Sequence, residues 1–199
     1  MQFNGTFELE EVTAEEVWLA LSDPVMIKNA LPGCQFLTKV EGDDVDFDAL
    51  REEAESAGED PPILPEADPE TVSERAFVEG GRYAALVELG VGSVKPSFET
   101  VVTIETREFP TMETSGEGKA SNSSFEMTSG MSLAEMDDGV EVEWHAEADV
   151  FGRVAQMGQR VINPVANRVV NRFFNGIADE LRDVGDDSTG LRDRISNLV

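Results

Sequence analysis

The chain opens in alternation. Phe3, Gly5, Phe7 and Leu9 fall on one side and Gln2, Asn4, Thr6 and Glu8 on the other, the period of a half-buried strand over residues 2–9. Thr13 then stands as a helix N-cap with Glu16 three residues on, a capping box, and Val17, Trp18 and Leu21 form an apolar stripe that ends at Asp23-Pro24. A second short helix over residues 25–31 is closed by Pro32-Gly33, and residues 34–40 read as a strand. The chain therefore begins β-α-α-β.

From residue 75 the pattern becomes a meander of strands over 75–89, 94–109, 111–120, 123–136 and 140–151, punctuated by Gly, Pro, Asn and Asp-Asp-Gly. In the last of them Val140, Val142, Trp144, Ala146, Ala148 and Val150 face one way, and Glu141, Glu143, His145, Glu147 and Asp149 the other. The same parity points Phe98, Thr100, Val102 and Ile104 inward, with Phe125, Met127, Ser129, Met131 and Leu133 from the strand before. Small and soft residues among large ones suit a roomy interior, although methionine also serves to fill irregular cores. A helical segment over 153–183 follows, with Val154, Val161, Val165, Val169, Phe173, Ile177 and Leu181 on its apolar side. Pro164 should bend it or break it at Asn163, because the proline ring displaces the carbonyl four residues earlier.

One stretch interrupts this order. Residues 41–74 hold 14 acidic residues and one basic, a net of −13 in a chain whose total is −26, together with Pro61, Pro62, Pro65 and Pro69. Like charges repel and proline breaks ladders, so the stretch reads as a surface insertion with one acidic helical turn around residues 47–54. A solvated loop explains most of it, and Ile63 and Leu64 leave room for a lid or flap. Residues 1–184 then make one domain, and 185–199 a polar, frayed C-terminal tail.

The 199 residues are 40% apolar, enough for a core, and the 41 acids against 15 bases exclude a general nucleic-acid binder, which needs clustered cations. An acid shell with eleven Arg and only four Lys fits a halophile's salt-filled cytoplasm, where screening relieves self-repulsion. The single cysteine, Cys34, and single histidine, His145, exclude an internal disulfide and most metal sites. No apolar run approaches the roughly 18 residues of a membrane span and the N-terminus lacks a signal peptide, so the expectation is a cytoplasmic protein. With His145 on an outward strand position, no Ser-His-Asp or Cys-His set can be assembled. Gly90-Val91-Gly92 has no helix after it and reads as a strand turn, not a phosphate loop. Cys34 is either a small buried hydrophobe or a reactive thiol.

The order β-α-α, further strands and one long helix implies an α+β helix-grip plan, a curved seven-stranded antiparallel sheet around a C-terminal helix with a cavity between them. Several short motifs add to this: Phe3-Asn4-Gly5, Glu16-Val17-Trp18, Ser22-Asp23-Pro24, Leu31-Pro32-Gly33-Cys34, Gly92-Ser93-Val94-Lys95-Pro96-Ser97-Phe98, Ser115-Gly116-Glu117-Gly118, and the entry to the last helix from Phe151 through Gly152 to Gly158. In these the chain resembles the G-subunit family of carbon monoxide dehydrogenase, within the START-like (SRPBCC) superfamily. The resemblance implies a non-catalytic accessory protein that binds a lipophilic molecule, a quinone or a lipid, without metal or covalent cofactor. It further implies service to a molybdenum-type carbon monoxide dehydrogenase or related hydroxylase at the inner face of the membrane. The acidic insertion and the lack of a hydrophobic C-terminal extension depart from the family pattern, which leaves membrane contact peripheral at most.

Three functions stay open. A carrier needs an apolar cavity, for which inward parity nominates Trp18, Leu31, Phe98, Met127, Met131, Trp144, Met157 and Val161. A recruitment protein would use the acid-free segment bearing Arg153, Arg160, Arg168 and Arg172 toward a partner or anionic headgroups, although such arginines are also commonly solvated or paired. An enzyme of the cyclase or hydratase kind would need polar groups such as Tyr83, Thr100 and Arg82 to converge inside.

Overall fold

The computed structural model describes residues 1–90, 95–182 and 194–199. Its elements run β1 (Gln2–Glu10), α1 (Ala14–Ser22), α2 (Pro24–Ala30), β2 (Cys34–Val40), α3 (Phe47–Ser56), α4 (Pro69–Arg75), β3 (Arg82–Glu88), β4 (Ser97–Glu108), β5 (Thr111–Ala120), β6 (Ser123–Met136), β7 (Gly139–Gly152), α5 (Arg153–Gln156) and α6 (Gln159–Arg182). One antiparallel sheet holds all seven strands in the order β1-β7-β6-β5-β4-β3-β2. Strands β1 and β2 occupy opposite edges, so α1 and α2 carry the chain across the sheet, and α6 returns along the same concave side. This is the expected helix-grip plan. The expected start of the fourth strand at Val94, the turn residues Val91 and Gly92, and the expected helix end at 183 lie outside the described residues.

Local chemistry explains the helix boundaries. Thr13 Oγ1 accepts from the Glu16 N–H at 3.2 Å and the Glu16 carboxylate accepts from the Thr13 N–H at 2.8 Å, which completes the capping box. Asp23 ends α1 and begins α2. Its carboxylate accepts from the Val25 N–H at 2.9 Å and from Arg75 Nε and Nη2 at 2.8 and 2.6 Å, and the residue is 1% exposed.

The acidic insertion corrects the sequence reading. Far from a surface loop alone, it supplies two helices and part of the core. α3 is amphipathic: Phe47, Leu50 and Ala54 pack with Val40 and Val45 onto Phe36, Ala84 and Leu86 on the convex face at the β2–β3 edge. The chain then passes to the other side, where Ile63, Leu64, Ala67 and Val72 join the main core around α1. Covered on both faces, β3 is buried from Tyr83 to Val87, which explains an apolar run without alternation. Residue 75 also begins no strand: Asp68 caps α4, Pro69 takes its first turn, and Arg75 ends it in the ion pair to Asp23.

The C-terminal helix differs too. No break occurs at Asn163, because α6 runs through Pro164; the interruption is at Gly158, whose φ of +73° separates α5 from α6. Pro164 falls in the second turn, so it removes one bond, to the Arg160 carbonyl, close to an end whose first donors have no intrahelical partner anyway. At the chain terminus, where a frayed tail is expected, Ile195 is fully buried in the main core and Arg194 pairs with Asp68 and Glu70 of the insertion.

Candidate ligand-binding site

Two apolar clusters sit between sheet and helix, one at each end. The larger joins α1, α2 and the α4 region to Phe7, Ile104, Leu133, Val140 and Val142 of the sheet and to Phe174, Ile177 and Leu181 of α6; the Phe7 and Phe174 rings stack at 5.1 Å. The smaller gathers Phe98, Phe125 and Val150 of the sheet with Val154, Met157, Val161 and Val165 of α5 and α6. The Phe98 and Phe125 rings meet edge to face at 5.3 Å.

Between the clusters the inward positions become small. Register places Val102, Gly116, Met127 and Ala148 in one row across four strands, and Thr114, Ser129 and Ala146 in the next, with Phe3 beside Ala146 on β1. Thr114 and Ser129 close on each other through their hydroxyls at 2.8 Å. Val102, Met127, Ala146 and Ala148 stay half-buried and belong to neither cluster, as do Ala166 and Val169 on the stretch of α6 that crosses between the two clusters. The middle of the concave face therefore lies outside both clusters and is incompletely covered, a candidate trough floored by Val102, Gly116, Met127 and Ala148.

The nominated residues distribute unevenly around it. Met127 is in the floor, Met131 and Trp144 flank it at the edge of the larger cluster, and Phe98, Met157 and Val161 close its other end. Gly5 makes the room for Trp144: a Cβ there would stand 3.2 Å from the indole. Trp18 is engaged elsewhere, 2% exposed, with Arg107 over its ring at 5.2 Å and Phe109 edge-on at 5.6 Å. Leu31 is half-buried beside the turn at Gly33, outside both clusters. The residues that the nominations pass over are the small ones, Gly116, Ala146 and Ala148. Alternation already places Ala146 and Ala148 inward; weighting inward positions by small size would find them.

The Leu-Pro-Gly-Cys turn has a steric reason. Gly33 adopts φ +82° and packs so tightly on β3 that a Cβ would lie 2.0 Å from the Glu88 carbonyl oxygen. The next residue, Cys34, donates its thiol to the Phe36 carbonyl at 3.3 Å. Burial pushes this thiol up to about 11, against a weaker downward pull from Lys28. An acid with a raised folded pKa loses stability as pH climbs from the unfolded value, near 9, toward 11. Alkylation by iodoacetamide is accordingly expected to stay slow at pH 8 and to rise with a midpoint near 11; a midpoint near that of a free thiol would refute the burial.

No catalytic constellation comes together among the described residues. Tyr83 faces inward and accepts from the Val78 N–H at 3.1 Å, whereas its neighbour Arg82 points outward to Asp43 at 3.1 Å and to the Gly42 carbonyl. Thr100 faces inward on β4, in register with Ala85 and Gly118 rather than with Tyr83. His145 is exposed on the convex face and pairs with Glu113 at 3.5 Å across Gly130, where a Cβ would meet the Glu113 carboxylate. Hollows of about 370 and 540 Å³ on that convex side are lined by outward polar groups such as Asn4, Glu143, Thr103 and Glu126. Among the described residues, no group of His, Cys, Asp or Glu is arranged to hold a metal ion, and no helix is long and apolar enough to cross a membrane.

The arginines show a contrast of a different kind. Among the described residues Arg51, Arg75, Arg82, Arg182 and Arg194 each hold a carboxylate, whereas exposed Arg153, Arg160, Arg168 and Arg172 hold none. Beside them on the solvent face of α6 runs a stripe of exposed asparagines, Asn163, Asn167, Asn171 and Asn175, at the i, i+4 spacing that aligns side chains along a helix.

A family model, the carbon monoxide dehydrogenase G subunit (CoxG), matches residues 74–182, from the end of the insertion through α6 and over more than half of the chain. The chain belongs to the CoxG family. No curated protein matches it. Solved structures extend the likeness to the whole fold. A conserved protein from Geobacillus kaustophilus aligns with a TM-score of 0.67 at 21% identity, over 92% of this chain and 97% of that one. A Streptomyces aromatase/cyclase aligns at 0.59 and 10% identity, over 96% and 98%. A Thermus thermophilus protein gives 0.56 and 7%, over 94% and 100%. At these identities the structures share the helix-grip fold with this CoxG family member and carry no argument about its ligand.

Proposed function

We propose that this protein is a non-catalytic accessory protein that holds a lipophilic small molecule, a quinone or a lipid, in the trough between the concave sheet and α6. The observation that carries the proposal is the row of Val102, Gly116, Met127 and Ala148, small or soft residues under a helix, half-buried and outside the two apolar clusters on either side. Membership of the CoxG family supports a molybdenum-type carbon monoxide dehydrogenase, or a related hydroxylase, as the enzyme served. Tyr83, Thr100 and Arg82 stand apart, which weighs against cyclase or hydratase chemistry in the same interior.

Organic extraction and mass spectrometry of protein purified from its own cells test this directly. The wild type should release one lipophilic molecule per chain, and Ala148→Phe, which fills the floor, should release at least tenfold less while still melting cooperatively. An empty wild type overturns the proposal.

A second role is compatible with the first and rests on the unpaired arginines. In a chain with 41 acids, an acid-free face of four arginines and four asparagines fits a carboxylate-rich protein surface, which guanidinium forks engage bidentately. A lipid surface fits less well, because α6 turns its apolar side to the sheet and offers a membrane no apolar anchor. Joint reversal of Arg160, Arg168 and Arg172 to Glu should reduce co-purification with the dehydrogenase at least tenfold. Retained co-purification, or loss only of binding to anionic phospholipid vesicles, sinks this role.

A further inference from the structure

Thr100 is the one buried side chain among the described residues whose polar atom has no hydrogen-bond partner: Oγ1 is sealed from solvent and the residue is 7% exposed. A desolvated hydroxyl without a partner is destabilising, and valine would fill the same space without that cost. Its position gives the hydroxyl a use. Thr100 lies on the inward face of β4, between Phe98, which closes one end of the trough, and Val102 in its floor. The Phe125 ring lies beside it: opposite Thr100, Gly118 has no side chain, and the ring fills the vacancy, so that a Cβ on Gly118 would stand 2.3 Å from the ring and 3.0 Å from Thr100 Oγ1. Phe125 is a half-buried side chain at the trough's end, packed edge-on against Phe98.

Resting on the carrier reading, we infer that Thr100 is the polar anchor of the trough: its hydroxyl donates to a single accepting oxygen, a ketone-type carbonyl, on an otherwise apolar planar ligand that displaces the Phe125 ring. The chemistry follows from the surroundings. Phe98, Phe125, Val102 and Ala85 around the hydroxyl offer neither charge nor a second polar side chain, so an ionised or multiply hydroxylated ligand would leave its own groups unpaired there. One buried donor among aromatic walls selects a carbonyl on a flat ring.

Fluorenone and fluorene, flat molecules of nearly equal shape that differ by the carbonyl oxygen, separate the possibilities. Binding is read by isothermal titration calorimetry on wild type, Thr100→Val and Thr100→Ser, with Ala148→Phe as the filled control. Wild type should prefer fluorenone to fluorene by about fivefold, the worth of one net hydrogen bond. Thr100→Val should lose the preference while binding fluorene as before and melting at a higher temperature when empty, and Thr100→Ser should keep the preference. If both molecules bind the wild type and leave the filled variant, but Thr100→Val retains the preference, the anchor is wrong and the trough stands. If neither binds the wild type, or both bind the filled variant equally, the trough reading fails and the anchor falls with it.

Discussion

Replacing Asp23 by alanine is expected to destabilise the protein by about 3–5 kcal/mol, the cost of breaking one side of a buried ion pair. The aspartate is 1% exposed and accepts three hydrogen bonds, one from the Val25 N–H at the start of α2 and two from the Arg75 guanidinium at the end of α4. Its removal uncaps α2 and leaves the guanidinium with one remaining acceptor, the Pro62 carbonyl at 2.8 Å. Replacing both partners together, Asp23→Asn with Arg75→Met, should cost distinctly less than Asp23→Ala alone, since no buried charge is then orphaned. Urea unfolding of the three proteins measures this; equal losses would mean that the pair is only a surface contact.

Leu64→Ala is expected to cost about 3 kcal/mol and to lower the melting temperature by about 10 °C, in line with large-to-small changes in packed cores. Leu64 lies in the middle of the acidic insertion yet is 1% exposed within the main core. Glu52→Ala, on the exposed side of α3 in the same insertion, should stay within about 0.5 kcal/mol. If Leu64→Ala is as mild as Glu52→Ala, the insertion is an appendage after all. The expected contrast also rules out excision of residues 41–74 as a test of partner binding, because the cut would remove Ile63, Leu64, Ala67 and Val72 from the core.

The fold is legible because its signals are local. A capping box at Thr13, Pro-Gly at 32–33, and alternation along β1, β6 and β7 each depend on residues a few positions apart, and strands 34–40, 111–120 and 123–136 match the observed bounds. The same reasoning misreads the insertion, where net charge dominates composition while a minority of apolar residues does the packing on both faces of the sheet. It also misplaces the helix break, because a proline near a helix start removes little, whereas Gly158 can adopt a positive φ.

The candidate site divides along the same line. Which residues face inward was decided by the sequence itself: the side-chain period of a strand is two, and no tertiary partner can change it without shifting the register. Which of those residues remain half-buried was decided only by the tertiary structure. Whether Phe98 closes an end or Trp18 packs under Arg107 depends on where α1 and α6 cross the sheet. That placement is set by long-range packing of the insertion and of Ile195, whose contacts join residues more than a hundred positions apart. Burial is a property of the assembled layers, and alternation within one strand carries no information about what lies opposite it.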